Sequence, residues 1–339
     1  MGPSGPSFGA LVISLDFELH WGVRDKPGIL ESYGRSLAGA RPAVGALLDL
    51  FDGMGVHATW ATVGFLLARD RDELLRFAPA VRPRYHDARL DPYDEPIGND
   101  EASDPLHFAP SLVDRIRATP GQELATHTYS HYYCREPGQD GDAFEADLAA
   151  AVRIAADRGL PTRSIVFPRN QHNPDYDAAL VRHGIVAYRG NPRGRGWNST
   201  AAADATAGTR AARLLDSYLP VYGHHTYDWA ALRHPVLPLC NVPASFFLRL
   251  PSRRILRARA LARIRTSMEY AARNRRLIHL WWHPHNFGMD TDARLAALRE
   301  LLVCYAGLRD RFGMRSLTMA AAAETALHSA ASGAPAPLL

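Results

Sequence analysis

Residues 11–22 read LVISLDFELHWG, an apolar run that ends in two carboxylates, Asp16 and Glu18. A short run of this kind, bounded by polar residues, reads as a buried β-strand. Successive strand side chains alternate, so Asp16 and Glu18 face one side and Phe17 the other. Carboxylates at a strand end are either solvated or functional, and the segments around them decide which.

Similar runs recur along the chain. Strands are expected at 11–16, 56–62, 122–126, 164–167, 185–189, 237–242, 277–282 and 315–318, and helical patterns fill the gaps at 38–54, 110–118, 142–158, 175–183, 256–273 and 292–312. This alternation predicts an α/β fold, a distorted (β/α) barrel of about seven to eight parallel strands. With 339 residues, 47% of them hydrophobic, the chain can bury one large core. Residues 8–327 are expected to form a single catalytic domain with loop insertions near 83–109 and 191–275, and 328–339 a disordered tail.

Three further strand ends carry polar clusters. In ELATHTYSHYYC (123–134), His127 and His131 are spaced to meet on one turn or tight loop, a common way to ligate a divalent metal. LIHLWWHPHNFG (277–288) places His283 and His285 directly after a strongly apolar strand. RSIVFPRNQHNPD (163–175) ends its strand in Arg169, Asn170 and Gln171, where an arginine could pair with a carboxylate and backbone N–H groups could face an oxyanion. In a parallel barrel all these ends gather on one rim.

Composition narrows the partners. The net charge is +4, Lys26 is the only lysine, and arginines cluster between Arg249 and Arg276, a run that reads as a solvated helix face or as a rim for an anionic substrate. It lacks the aromatic interleaving of a nucleic-acid surface. Cys134, Cys240 and Cys304 are odd in number and far apart, which suits free thiols. No stretch reaches the roughly 18 uninterrupted apolar residues of a membrane helix, and the first residues lack a basic segment followed by a long apolar run, so a cytoplasmic location is the simplest expectation.

The order of these motifs, with HATWATVGFL (57–66) and MRSLTMAAAAE (314–324), resembles the polysaccharide deacetylase family, also called the NodB-homology domain or carbohydrate esterase family 4. The resemblance runs from Leu11 to about Leu327. It implies Asp16 as base, Glu18, His127 and His131 as ligands of one divalent ion, and His283 as acid. The ion would be zinc by first choice, with Fe2+, Co2+, Ni2+ or Mn2+ compatible with the same donors. Two departures stand out. Asp-x-Glu replaces the family's commoner adjacent aspartates, so the roles of Asp16 and Glu18 are exchangeable, and the arginine motif is altered around Arg169, the expected partner of the base. Trp21, Tyr132, Trp282 and Trp229 are candidates for stacking on a sugar, and Asn170, Gln171 and His285 for substrate contact. The implied reaction is N-deacetylation of an amino sugar, sugar nucleotide, lipid-linked sugar or aminosugar natural-product precursor. An amidohydrolase of a non-sugar amide or imide, or a non-catalytic carbohydrate-binding protein, are the alternatives on the same scaffold.

Overall fold

Strand β1, Ala10–Phe17, is buried at every position, and its two faces serve different neighbours. Leu11, Ile13, Leu15 and Phe17 join the apolar layer formed with the surrounding helices, whereas Ala10 and Val12 join an interior cluster with Val166, Ala187 and Leu277. The period of two therefore carries the interior face of β1 upward through Ser14 to Asp16.

The computed structural model describes residues 5–193, 208 and 214–331. Among these, the remaining strands are β2 (Ala58–Thr62), β3 (Gln122–Thr126), β4 (Ser164–Val166), β5 (Ala187–Arg189), β6 (Cys240–Asn241), β7 (Phe246–Phe247), β8 (Leu277–Trp282) and β9 (Arg315–Leu317). They form one curled sheet in the order β6-β5-β4-β3-β2-β1-β8-β7, and every pairing is parallel. β9 takes the first part of one edge of β1, opposite Ala10 to Val12, and β2 takes the rest, opposite Ser14 to Phe17. The two ends of the sheet are linked through the chain itself: Val242 N–H bonds to Tyr188 O on β5 and Ser245 N–H to His279 O on β8. The architecture is thus the distorted (β/α) barrel expected from the strand pattern, with all carboxyl ends on one rim.

The structure departs from the expected elements in several places. β7 is too short to register as an apolar run. The helix expected at 38–54 is two, Ile29–Ala38 and Ala40–Met54, divided at Gly39. A helix at Arg71–Phe77 is capped by Asp70, whose carboxylate accepts from Glu73 N–H. Residues 83–109 are irregular apart from the short turns Ala88–Leu90 and Pro92–Asp94. The tail is corrected at its start, because the helix Met319–Ala331 runs through 328–331, and 332–339 lie outside the described residues. Of the insertion expected near 191–275, residues 194–207 and 209–213 also lie outside them.

Gly39 and Gly288 bring two backbones into contact. A Cβ at Gly39 would stand 1.9 Å from Gly288 O, and one at Gly288 would stand 2.0 Å from Ser36 O. This contact seats the turn Pro284–Phe287, and with it His283 and His285, against the first two helices. Gly39→Ala is expected to lower stability in urea denaturation by about 1–3 kcal/mol, the usual cost of forcing atoms into a packed site. Gly53→Ala, where a Cβ meets nothing within 4 Å, is the helical control and should be neutral or stabilising by up to about 1 kcal/mol.

Candidate active site

Glu18 leaves β1 and enters the turn Leu19–Gly22, where its carboxylate lies so close to Gly22 that a Cβ there would be 1.9 Å from Oε1. His127 follows β3. Its ring is oriented by a 2.7 Å bond from Nδ1 to Val166 O, which places the proton on Nδ1 and leaves the Nε2 lone pair free. That buried Nε2 has no hydrogen-bond partner. His131 is brought alongside by a loop anchored on Asp147, which accepts from Tyr129 N–H at 2.7 Å, Ser130 N–H at 3.2 Å and the Ser130 hydroxyl at 2.5 Å. Burial pushes the Asp147 carboxyl up to about 6.

Glu18 Oε2 is 3.3 Å from His127 Nε2 and 3.1 Å from His131 Nε2. Bonds of about 2.0–2.1 Å to a tetrahedral ion imply ligand–ligand separations of about 3.3 Å, so the three donor atoms fit a divalent metal. Burial, against the pull of Glu18, brings His131 down to about 4, the neutral form a ligand needs. Burial also opposes ionisation of Glu18, but His283, His127 and His131 outweigh it and hold the carboxyl well below its ordinary range. Glu18, His283 and His285 also lie close enough to share an ion, though His283 Nδ1 faces Asn286 at 3.3 Å rather than a fixed backbone acceptor.

Asp16 is partnered by Arg189, not Arg169. The Arg189 guanidinium, fully buried on β5, bonds both carboxylate oxygens, Nη1 to Oδ1 at 2.6 Å and Nη2 to Oδ2 at 2.7 Å. It also donates to Ser14 Oγ at 2.9 Å and Asn170 Oδ1 at 2.8 Å, and Ser14 Oγ lies 2.9 Å from His279 Nε2. Burial raises the Asp16 carboxyl, but the charge and hydrogen bonds of Arg189 prevail and keep it below 3.8. Burial, with Arg189 nearby, takes His279 down to about 3, so it stays neutral beside the guanidinium. Arg169, whose backbone is left-handed (φ 55°), lines the same cleft but does not reach Asp16: it pairs with Asp25 and Glu136 and lies over the Tyr133 ring.

His283 stands at the end of β8 with Nε2 3.5 Å from Glu18 Oε1 and 3.7 Å from Asp16 Oδ2. Its ring stacks on His285 at 4.7 Å, and burial, then His283, lowers His285 to about 3. These groups open into a cleft of about 690 Å³ whose walls include Tyr33, Asn170, Phe247, Arg249 and Trp281.

Several expected substrate contacts are elsewhere. Trp21 is buried against Phe65 and His107, Tyr132 is buried with its hydroxyl on Gln139 and Asp140, and Trp282 lies on the outer face of β8. Trp229 is also buried, its Nε1 donating to Arg275 O and Phe8 O. Gln171 bonds Glu136 and Arg135 instead of lining the cleft. The N–H groups of Asn170 and Gln171 are spent on Phe167 O and Pro168 O, so they do not form the anticipated oxyanion donors. Sequence reading missed Ser14, Arg189, His279, Phe247 and Trp281. Ser14, His279 and Trp281 carried a signal, since each sits two residues before a chosen residue or one of its partners on the same strand face.

No protein-family model and no curated protein matches the sequence. Solved structures do. A protein of Mycobacterium smegmatis assigned as a polysaccharide deacetylase superposes with a TM-score of 0.57 at 16% identity, covering 100% of both chains. Another so assigned, from Pseudomonas aeruginosa PAO1, gives 0.50 at 13% identity over 93% of this chain and 89% of that one. These likenesses establish the fold.

Removing Arg189 strands a buried charge, whereas removing Arg169 frees two carboxylates, Asp25 and Glu136, that keep partial access to water. Arg189→Met is expected to destabilise by about 3–5 kcal/mol at pH 7 in urea denaturation, and Arg169→Met by less than about 1 kcal/mol. In the wild type the lowered Asp16 pKa makes the pair's contribution complete above 3.8 and lost as pH falls through the lower folded value. In Arg189→Met the penalty itself should shrink in acid, because protonation removes the stranded charge.

Proposed function

We propose that this chain, on a polysaccharide deacetylase scaffold, is a metal-dependent N-deacetylase. Its substrate would carry an acetamido or similar acyl-amide group on an amino sugar, sugar nucleotide, lipid-linked sugar or related precursor. The observation that carries the reading is one constellation: Glu18 between the imidazoles of His127 and His131, with Arg189-bound Asp16 and His283 flanking it at the floor of an open cleft.

Glu18, His127 and His131 would hold the ion, which when bound supplies Lewis acidity and brings the pKa of water from about 15.7 towards about 7. Arg189 keeps Asp16 ionised and aimed, and each of its oxygens retains a lone pair to accept the proton of the attacking water. Water adds to the acyl carbon, the carbon–nitrogen bond breaks, and His283 delivers a proton to the departing amine. The products are a carboxylate and a free amine. Trp281 and Phe247 offer faces for a sugar ring. Lys26, Arg249 and Arg294 also line the cleft and pair with no carboxylate among the described residues, which favours a substrate bearing an anionic group such as phosphate.

The test combines metal content with acetate release from acetylated amino sugars and their nucleotides. One ion per chain at this site should be lost in Glu18→Gln and His127→Ala, while Asp16→Asn should keep the ion and lose about 10²–10⁴-fold in turnover. Metal content equal to that of the wild type in both ligand variants, or full activity in Asp16→Asn, would refute the assignment. Ammonia release or ring opening from a non-sugar amide or imide would move the substrate class.

A further inference from the structure

We infer that His20, Glu95 and His107 form a second divalent-metal site, separate from the Glu18 site and structural in role. The three residues come from distant parts of the chain: His20 from the turn that follows Glu18, and Glu95 and His107 from the irregular segment before the helix Pro110–Ala118. One ligand atom from each lies within 4.8 Å of the other two.

The geometry parallels that of the first site. Glu95 Oε1 is 3.2 Å from His20 Nε2 and 3.6 Å from His107 Nε2, close to the spacing of about 3.3 Å that tetrahedral coordination requires. His107 Nδ1 bonds Asp104 Oδ2 at 2.8 Å, and Asp104 is itself fixed by Gly98 N–H at 2.8 Å. This carboxylate places the ring proton on Nδ1 and raises the basicity of Nε2, the support that metal-bound histidines ordinarily have.

With the His107 proton on Nδ1, its Nε2 is a buried lone pair facing the Glu95 carboxylate and has no hydrogen-bond partner, and the buried Nδ1 of His20 has none either. His20 and His107 are buried, whereas Glu95 retains partial exposure through which an ion and one water could enter. Two imidazoles and a carboxylate with an open position suit zinc first and cobalt as its spectroscopic substitute.

The site would staple the segment onto the turn Leu19–Gly22. His20 N–H already bonds Leu106 O at 3.3 Å, Trp21 Nε1 donates to His107 O at 3.0 Å, and Arg24 reaches Leu90 O at 2.5 Å. Because Gly22 of that turn packs on the Glu18 carboxylate, the staple positions a ligand of the first site without touching substrate.

The experiment counts cobalt ions per chain after reconstitution and dialysis of the full-length protein, with circular dichroism to confirm folding. Two ions are expected in the wild type and one in each of His107→Ala, Glu95→Gln and Glu18→Gln, with a lower midpoint of thermal unfolding in the first two variants. Glu95→Gln preserves shape at a partly exposed position, so it carries the comparison should His107→Ala misfold. A single ion in the wild type, lost in Glu18→Gln and kept in Glu95→Gln, would overturn the second site while leaving the proposed function standing. A single ion lost only in Glu95→Gln would do the reverse.

Discussion

Two carboxylates two residues apart on a buried strand end set the terms for the structure around them. Asp16 and Glu18 are only 3% and 5% exposed, and withdrawing each from water costs several kcal/mol unless something replaces the solvent. The replacements differ. Asp16 meets a guanidinium that is always charged, whereas Glu18 meets imidazoles, one of which is held neutral by burial. A permanent cation balances its anion. An imidazole held neutral leaves negative charge over for an ion that is not part of the chain. That difference supports the proposed roles of Asp16 as proton acceptor and Glu18 as ligand, a distinction that the spacing of Asp-x-Glu leaves open.

The rim that surrounds this pair is held by local strain. Leu19, Thr128, His131, Arg169 and Asn170 all have left-handed backbones, at φ between 45° and 63°, and all lie just past the ends of β1, β3 or β4. Non-glycine residues in that region cost about 1–3 kcal/mol each and persist only where their surroundings over-determine them. Asp147 beneath the His127–His131 loop and the Thr128 hydroxyl, which accepts from Tyr132 N–H at 2.7 Å, provide such surroundings. The strain lies beside the groups whose placement within a few tenths of an ångström decides whether an ion can be held.

The barrel and most of its chemical groups were legible because strand runs and strand-end polar residues are local features. Side-chain facing was legible in principle. The alternation that groups Asp16 with Glu18 also groups Leu277, His279, Trp281 and His283, which puts Trp281 in the cleft and Trp282 in the outer layer. Arg189 was hidden for another reason: it closes a strand whose end shows no other polar cluster, and only the curl of the sheet brings β5 across from β1. Arg169 drew attention by its neighbours, yet it lines the cleft paired with Asp25 and Glu136 rather than with Asp16. His20, Glu95 and His107 left no signal in spacing, since their meeting depends on the course of an irregular segment.

The shared edge of β1 has a consequence for how the chain reaches this state. β1 is synthesised long before β9, yet part of its edge is filled by that strand, and Ser316 there receives the His57 N–H across a separation of 259 residues. Contacts so distant in sequence form late and slowly, after their loop entropy has been overcome. Until residue 317 has left the ribosome, the first part of β1 exposes unpaired backbone in the middle of the sheet rather than at its margin. The nascent barrel is therefore most vulnerable at its centre, and β9 acts as the keystone of assembly.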